Sequence, residues 1–229
     1  MDNARPTRRD LKSKVLDLLQ SDNFDQSLHE LFQLPARQVI NPLFGFLLSK
    51  DEQVKWRAVS VMGKVVANLA EKNIESARVV MRRLMWMLND ESGGIGWGVP
   101  EVMGEIIASH EGLAKEYGAI LVSYVREDQN FLEYEPLRRG AVWGIGRVAQ
   151  VKPHIVQDAI PHLILFLESS DAVLRGMAAW TTGLLRAEEA RPKLEALLED
   201  DTEVLLYVNL KLVRRTVGGL AKEALASIV

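Results

Sequence analysis

The chain has 229 residues, 48% of them apolar, which is enough for a substantial hydrophobic core. Its formal net charge of −3 disfavours nucleic acid and anionic membranes as partners, because either would need a local basic patch. The absence of cysteine excludes disulfides, thiolate metal sites and thiol nucleophiles. A polar N-terminus and the lack of a roughly 18-residue apolar run predict a soluble, cytoplasmic protein with no membrane partner.

The first predicted element is an N-terminal helical cap over residues 1–36. The segments RRDLKSKVLDLLQ and FDQSLHELFQL within it repeat apolar residues at three- and four-residue spacing, as amphipathic helices do. Helical repeat arrays need such caps, because an end repeat would otherwise leave its apolar face in water.

Four similar units follow over residues 37–200. Each holds a window that ends on glycine, and the four glycines are roughly 40 residues apart. An amphipathic run precedes every window, so the repeating unit is a helix A, a short turn and a helix B. Asp51 and Asp171 stand where helix B needs an N-cap. The windows are DEQVKWRAVSVMG (51–63), SGGIGWGVPEVMG (92–104), YEPLRRGAVWGIG (134–146) and DAVLRGMAAWTTG (171–183).

Residues 201–229 are predicted to close the array. The segment DTEVLLYVNLKLVRR (201–215) keeps the Asp and Val of the windows but lacks their Arg, Ala and Gly. We interpret it as a degenerate fifth repeat, followed by a C-terminal cap, GGLAKEALASIV. No linker separates a second domain, so residues 1–229 are predicted to form one all-α domain, an α-solenoid of about five helical pairs with helical caps.

The shared order of Asp, Val-Arg, Ala and Leu-Gly in these windows resembles HEAT repeats, in particular the short type found in phycobilisome-lyase-like (PBS lyase HEAT-like) proteins. The likeness covers residues 37–200 and implies an armadillo-like helical scaffold that binds proteins. An alternative that the same resemblance implies is a lyase, or a lyase accessory, that handles a bilin or another tetrapyrrole.

Four of the five tryptophans fall on one face of the predicted B helices. Ala58 marks the packed face of the first B helix, and positions 56 and 60 lie roughly 200° away, on the side that lines the concave surface of a HEAT stack. Exposed apolar patches usually mark interaction sites, so we predict a groove that binds a protein or peptide segment with Trp rings as anchors. The predicted groove residues are Trp56, Trp97, Glu101, Arg139, Trp143, Arg147 and Trp180. Together with Glu105, the charged residues of this set are predicted to fix the direction in which the segment binds.

The alternative is that these rings belong to the core. A tightly curled array, or caps folded over the concave surface, would bury them, since a structural Trp is usually mostly buried. The fifth tryptophan, Trp86, lies on a helix A and is predicted to be packed.

The glycine-rich stretch SGGIGWGVP (92–100) interrupts the second unit. Pro100 suits the first turn of a helix, so this helix B is predicted to begin late, with Trp97 on a loose turn ahead of it. The amides of such a turn could bind an anion, or the turn could serve only as a spacer.

A second resemblance is to HEAT-like alkylpurine DNA glycosylases. The order Trp97, Glu101, Arg139 (or Arg138) and Trp180 is similar to the Trp, carboxylate, Arg and Trp of that family's groove. The resemblance implies that Glu101 stabilises positive charge on the sugar while Arg139 contacts a phosphate. The acidic balance of the chain weighs against this enzyme, because phosphate contacts dominate DNA affinity.

No other catalytic set, metal site or cofactor is predicted. The dipeptides His29-Glu30 and His110-Glu111 are similar to the metal-binding pairs of HEAT-type di-iron hydroxylases, but they do not recur at equivalent positions of successive B helices. Coordination needs ligands that converge on one point. A non-catalytic binding protein is therefore the favoured interpretation.

Overall fold

The computed structural model describes residues 7–89 and 96–228. Most of the predicted glycine-rich turn lies outside the described residues, which resume at Gly96. The cap predicted at the N-terminus consists of two helices, α1 (Arg8–Gln20) and α2 (Phe24–Gln33). Thr7 and Asp10 form a capping box at the start of α1, in which each side chain accepts a hydrogen bond from the other residue's amide.

Five helix pairs follow within the described part of the chain, and the all-α solenoid predicted from the sequence is confirmed. The B helices stack on one another in chain order, and the A helices lie outside them. Each helix in residues 7–89 and 96–228 is too short or too polar to span a lipid bilayer. The pairs are α3 (Ala36–Phe46) with α4 (Glu52–Lys72), α5 (Ile74–Leu88) with α6 (Val99–Ser109), α7 (Glu111–Ser123) with α8 (Glu135–Ala149), α9 (Ile160–Phe166) with α10 (Ala172–Leu184), and α11 (Arg191–Ala196) with α12 (Val217–Ser227).

The predicted helix starts are borne out locally. Asp51 Oδ1 accepts hydrogen bonds from the amides of Gln53 and Val54 at the start of α4, at 2.9 and 3.2 Å, and Asp171 caps α10 in the same way. In the second pair, Gly98 has a φ of 73° and α6 begins late, with Pro100 in its first turn. Short 3₁₀ turns (Pro153–Ile155, Gln157–Ala159 and Glu188–Ala190) lead into α9 and α11.

The fifth pair differs from the prediction. Residues 201–215 were expected to be helical, and that expectation is wrong: they form most of an antiparallel hairpin of β1 (Glu203–Val208) and β2 (Lys211–Thr216). The two strands are joined by a two-residue turn, Asn209 and Leu210, with φ of 50° and 63°. The helix B of this pair is α12, from the segment predicted to be the terminal cap, and the hairpin is inserted between it and α11.

Glycine allows the B helices to approach closely. A Cβ placed on Gly104 of α6 would lie 2.4 Å from the Cα atom of Gly144 in α8, a distance at which the two backbones would have to separate. A Cβ on Gly183 of α10 would lie 2.6 Å from the Cα atom of Ala224 in α12. The glycine that ends each window therefore sets the spacing of the stack.

We predict that Gly104→Ala lowers the free energy of unfolding by about 1–3 kcal/mol, since the methyl group has no space and the helices must shift. Gly45→Ala in α3 is the matched control, because the nearest atom to its new methyl is the mobile Nζ of Lys12 at 4.0 Å. There the better helix propensity of alanine should leave stability unchanged or raise it by about 0.5–1 kcal/mol. Urea unfolding followed by circular dichroism measures both, and equal losses would contradict the account.

Candidate functional site on the concave face

The predicted groove residues lie on the B helices α4, α6, α8 and α10, except for Trp97, which lies on the turn before α6. On α6 they are Glu101 and Glu105, and on α8 they are Arg139, Trp143 and Arg147, in both cases at four-residue spacing, which places them on one side of each helix. A cavity of about 230 Å³ is lined by three of these helices and by the hairpin. Its lining includes Ser60, Lys64, Glu105, Trp143, Arg147, Gln150, Tyr207 and Leu210.

The two central tryptophans are buried in this surface. The ring centroids of Trp56 on α4 and Trp143 on α8 are 4.7 Å apart, although α6 lies between the two helices in the stack. The array therefore curls tightly, which was the alternative that the sequence left open. Trp56 is 5% exposed and Trp143 is 1% exposed, so their predicted role as exposed groove walls is wrong.

The hairpin covers them. Tyr207 of β1 stacks on Trp56 with ring centroids 4.9 Å apart and planes 16° from parallel. Its hydroxyl lies 3.0 Å from Ser60 Oγ, and its carbonyl accepts a hydrogen bond from Trp143 Nε1 at 2.9 Å. Burial raises the pKa of Tyr207 to about 12, so the phenol stays protonated. We call Trp56, Trp143 and Tyr207 the aromatic cluster.

The course of β1 explains why so short a hairpin closes the concave face. Val204 at one end of the strand packs against Gly176 of α10, and Tyr207 reaches α8 and α4. The strand thus runs across the B helices rather than along one of them. It lies within the concave face, in the space where the sequence predicted a bound peptide.

The other two groove tryptophans are more accessible. Trp180 is partly buried against Gly146 of α8. Trp97 is 42% exposed, and its ring centroid lies 6.4 Å from that of Tyr134, which is 49% exposed. The 96–98 turn holds Trp97 in place, since Gly98 packs against Leu47 at the end of α3.

Trp86, which was predicted to be packed, is 62% exposed, and that prediction is wrong. It lies on the outer face of α5, in one stripe with Val79 and Arg83, at positions i, i+4 and i+7 of the helix. The sequence of α5 carries apolar residues on more than one face, and the inner face is filled by residues such as Met81 and Leu84.

Glu105 and Arg147 form a partly buried ion pair in the wall of the cavity. Arg147 Nε donates to Glu105 Oε1 at 3.0 Å, and the Glu105 side chain is 8% exposed. Burial raises the pKa of Glu105, while the charges of Arg147 and Lys64 oppose that shift. The pair joins α6 to α8 and keeps a charged group at the edge of the covered surface.

Glu101 is buried and forms no ion pair with another described residue. Its Oε2 atom has no hydrogen-bond partner among the described residues, and its carboxyl group lies against Gly140 of α8. Burial raises the pKa of Glu101, which the positive charge of Lys55 only partly opposes. Glu101 is only 6% exposed, so little of it is available to a ligand on the surface.

Arg139 is held by Asp171, the N-cap residue of α10, with which it forms an ion pair. The four residues that resemble the glycosylase pattern therefore do not line one open cleft: Glu101 is buried and Arg139 is engaged within the protein. His110, the other candidate for chemistry, caps α7 by accepting the amide of Leu113 at 3.1 Å. The described residues contain no group of three or more potential metal ligands.

The sequence analysis did not identify Tyr207, the residue that covers Trp56 and Trp143 on the concave face. The signal was present in VLLYVNLKLV, where Val204 and Leu206 alternate with exposed Glu203 and Leu205 and an Asn follows the run. The apolar spacing of this segment also fits a helix. Because the preceding repeats are helical, the segment was assigned the helical period of 3.6 residues instead of the strand period of 2.

The fold defines an all-α solenoid of the HEAT and armadillo type. Residues 135–181, which hold α8 and most of α10, match the family model of the HEAT-like repeat, and this supports a HEAT-repeat protein. An uncharacterised protein of Archaeoglobus fulgidus is 32% identical over 124 residues, which cover 52% of this chain and 57% of that protein. The matched region therefore spans little more than half the length of this relative.

Solved structures are similar over nearly the whole chain. A designed armadillo repeat protein in complex with the peptide (KR)4 has a TM-score of 0.55 at 19% identity, covering 96% of this chain and 99% of that one. The karyopherin Kap121p bound to Nup53p has a TM-score of 0.57 at 14% identity, covering 97% of this chain and 24% of Kap121p. At such identities the likeness shows the fold alone.

We predict that Tyr207→Ala releases the hairpin from the concave face. The lost ring contacts should lower the free energy of unfolding by about 3–5 kcal/mol, and the Trp fluorescence maximum should move to longer wavelength as Trp56 and Trp143 meet water. Tyr207→Phe is the control, because it keeps the stacking and loses about 1 kcal/mol with the Ser60 bond. An unchanged emission spectrum in Tyr207→Ala would contradict this role.

The buried Glu101 predicts a pH dependence of stability. Because its pKa is raised in the folded state, the folded protein holds the proton to higher pH than the unfolded chain does. The free energy of unfolding should therefore fall as pH rises from the ordinary Glu pKa to the raised value, and then level off. Glu101→Gln should lack this pH-dependent loss of stability. In urea unfolding at a series of pH values, the free energy of unfolding of the variant should therefore rise relative to that of the wild type between the two pKa values. Parallel curves would refute the assignment.

Proposed function

We propose that this chain is a protein-binding scaffold and that its partner contacts the rim of the concave face at Trp97 and Tyr134. This rim lies where B helices begin: Trp97 immediately precedes Gly98 and α6, Tyr134 is the N-cap residue of α8, and Asp171 caps α10. The buried aromatic cluster is not part of the contact surface, because the hairpin already covers it.

The observation that carries the proposal is the exposure of two neighbouring aromatic rings at this rim, 42% for Trp97 and 49% for Tyr134. Adjacent exposed rings leave apolar surface in water, and such surface usually marks an interaction site. Aromatic residues and Arg are enriched in protein interfaces, and Arg139, whose side chain is 37% exposed while it pairs with Asp171, follows Tyr134 by little more than one helix turn.

The fold supports the same function by analogy. The similar structures include one solved in complex with a peptide and one bound to another protein, and a helical solenoid offers an extended surface for such contacts. The tetrapyrrole lyase and glycosylase alternatives, by contrast, gain no supporting geometry from the part of the chain that the structure describes.

A selection of short random peptides displayed on phage against the wild-type protein tests the proposal. Peptides that the wild type enriches should bind Trp97→Ala/Tyr134→Ala about tenfold or more weakly, because Trp and Tyr are the usual anchors of such contacts. Affinity is measured by fluorescence anisotropy with each purified variant.

Leu165→Ala serves as the control variant for this selection. Leu165 on α9 is 56% exposed and lies outside the rim, so its removal should leave binding within about twofold. The proposal fails if the enriched peptides bind the double variant as tightly as the wild type, or if Leu165→Ala weakens them equally.

A further inference from the structure

Two cavities lie on the outer side of the N-terminal half of the molecule, on either side of α3. The first has a volume of about 750 Å³ and lies between α1 and α3, and the second has about 380 Å³ and lies between α3, α4 and α5. Arg37 and Asn41 of α3 line both. These volumes are of the size that bound ligands occupy.

The side chains that line the cavities are positively charged. Arg8 and Lys12 of α1 line the first, Arg83 of α5 lines the second, and Arg37 lines both. Neither cavity has an Asp or Glu in its described lining, and none of the four cations forms an ion pair with a described carboxylate. This contrasts with Arg78, Arg147 and Arg175, which all pair with carboxylates elsewhere.

Neighbouring aromatic rings hold two of these cations in place. The guanidinium carbon of Arg83 lies 3.8 Å from the ring centroid of Phe44, and its NH1 donates to Asn41 Oδ1 at 3.0 Å. Lys12 Nζ lies 5.8 Å from the ring centroid of Phe46. Neutral groups thus position these two cations, and no carboxylate of the described residues pairs with them.

Exposed apolar side chains border the same surface. Val79 and Trp86 of α5 are 55% and 62% exposed, and they flank Arg83 on the outward stripe of that helix. Leu11 and Pro42 contribute apolar lining to the first cavity. We call this surface over α1, α3 and α5 the basic convex face.

We infer that the basic convex face binds an acidic protein segment that also carries apolar side chains. Carboxylates of a partner complement these four cations, while Trp86 and Val79 offer the apolar anchors that interfaces use. The first cavity follows α3 from Arg37 to Gly45, about 12 Å at 1.5 Å per residue, which accommodates two turns of an amphipathic helix. The apolar share of the surface and the acidic balance of the chain favour a protein over a nucleic acid.

The probe is a fluorescein-labelled helical peptide of Glu, Leu and Ala, compared with the same peptide in which Lys replaces Glu. The 229-residue chain should bind the acidic peptide and not the basic one in fluorescence anisotropy at low ionic strength. Arg37→Glu should weaken binding about tenfold or more, since Arg37 faces both cavities, and Trp86→Ala should weaken it several-fold.

Matched controls are Lys72→Glu and Val151→Ala, which change an exposed cation and a 51% exposed valine elsewhere. Both should bind as the wild type does, and Lys12→Glu provides a second charge reversal if Arg37→Glu does not fold.

Three results would each overturn the inference: no binding of the acidic peptide, equal weakening by Lys72→Glu, or more effective competition by a single-stranded oligonucleotide. Trp97→Ala/Tyr134→Ala should bind this peptide normally, which separates this site from the rim.

Discussion

The contact between Tyr207 and the two tryptophans beneath it determines what the concave face can do. A helical solenoid normally leaves its inner curve open, and an open inner curve with Trp56 and Trp143 on it would expose two large rings to water. Here β1 supplies the covering surface from within the same chain, with one stacked ring and two polar contacts. A cavity of about 230 Å³ lies beside this cover, lined by Tyr207 and Trp143.

This closure depends on how tightly the helices stack. Gly104 and Gly144 bring α6 and α8 into backbone contact, and the resulting curl places Trp56 of α4 against Trp143 of α8. In the same tightly packed layer, the buried Oε2 atom of Glu101 has no hydrogen-bond partner among the described residues. Burying the Glu101 carboxyl group costs free energy, because the group leaves water without gaining an ion pair among the described residues. Glu105, one turn further along α6, reduces this cost by pairing with Arg147.

Local sequence patterns predicted the elements that depend on local physics. The Asp51 and Asp171 caps, the late start of α6 at Pro100 and the recurrent glycines all follow from rules that act within one or two helix turns. Even the placement of Trp56 and Trp143 on the concave side follows from helix geometry. The covering of these rings by the hairpin could not be predicted from local patterns, because Tyr207 contacts Ser60, which is 147 residues away in the chain.

Trp86 illustrates a second limit. Its position on an A helix predicted packing, yet burial depends on whether another element lies outside α5, and local periodicity does not contain that information. We propose that partners use the concave rim at Trp97 and Tyr134 and the outer side of the A helices. Both surfaces differ from the inner groove that repeat architecture alone suggests, which the hairpin covers in this structure.

Indole N–H signals in a proton–nitrogen NMR spectrum, recorded with and without a soluble paramagnetic gadolinium chelate, test this closure most directly. The account predicts that Trp143, whose Nε1 donates to Tyr207, and Trp56 keep their intensity, while Trp86 is strongly attenuated. Attenuation of Trp56 and Trp143 to the same degree as Trp86 would mean that the hairpin does not close the concave face, and would contradict the account.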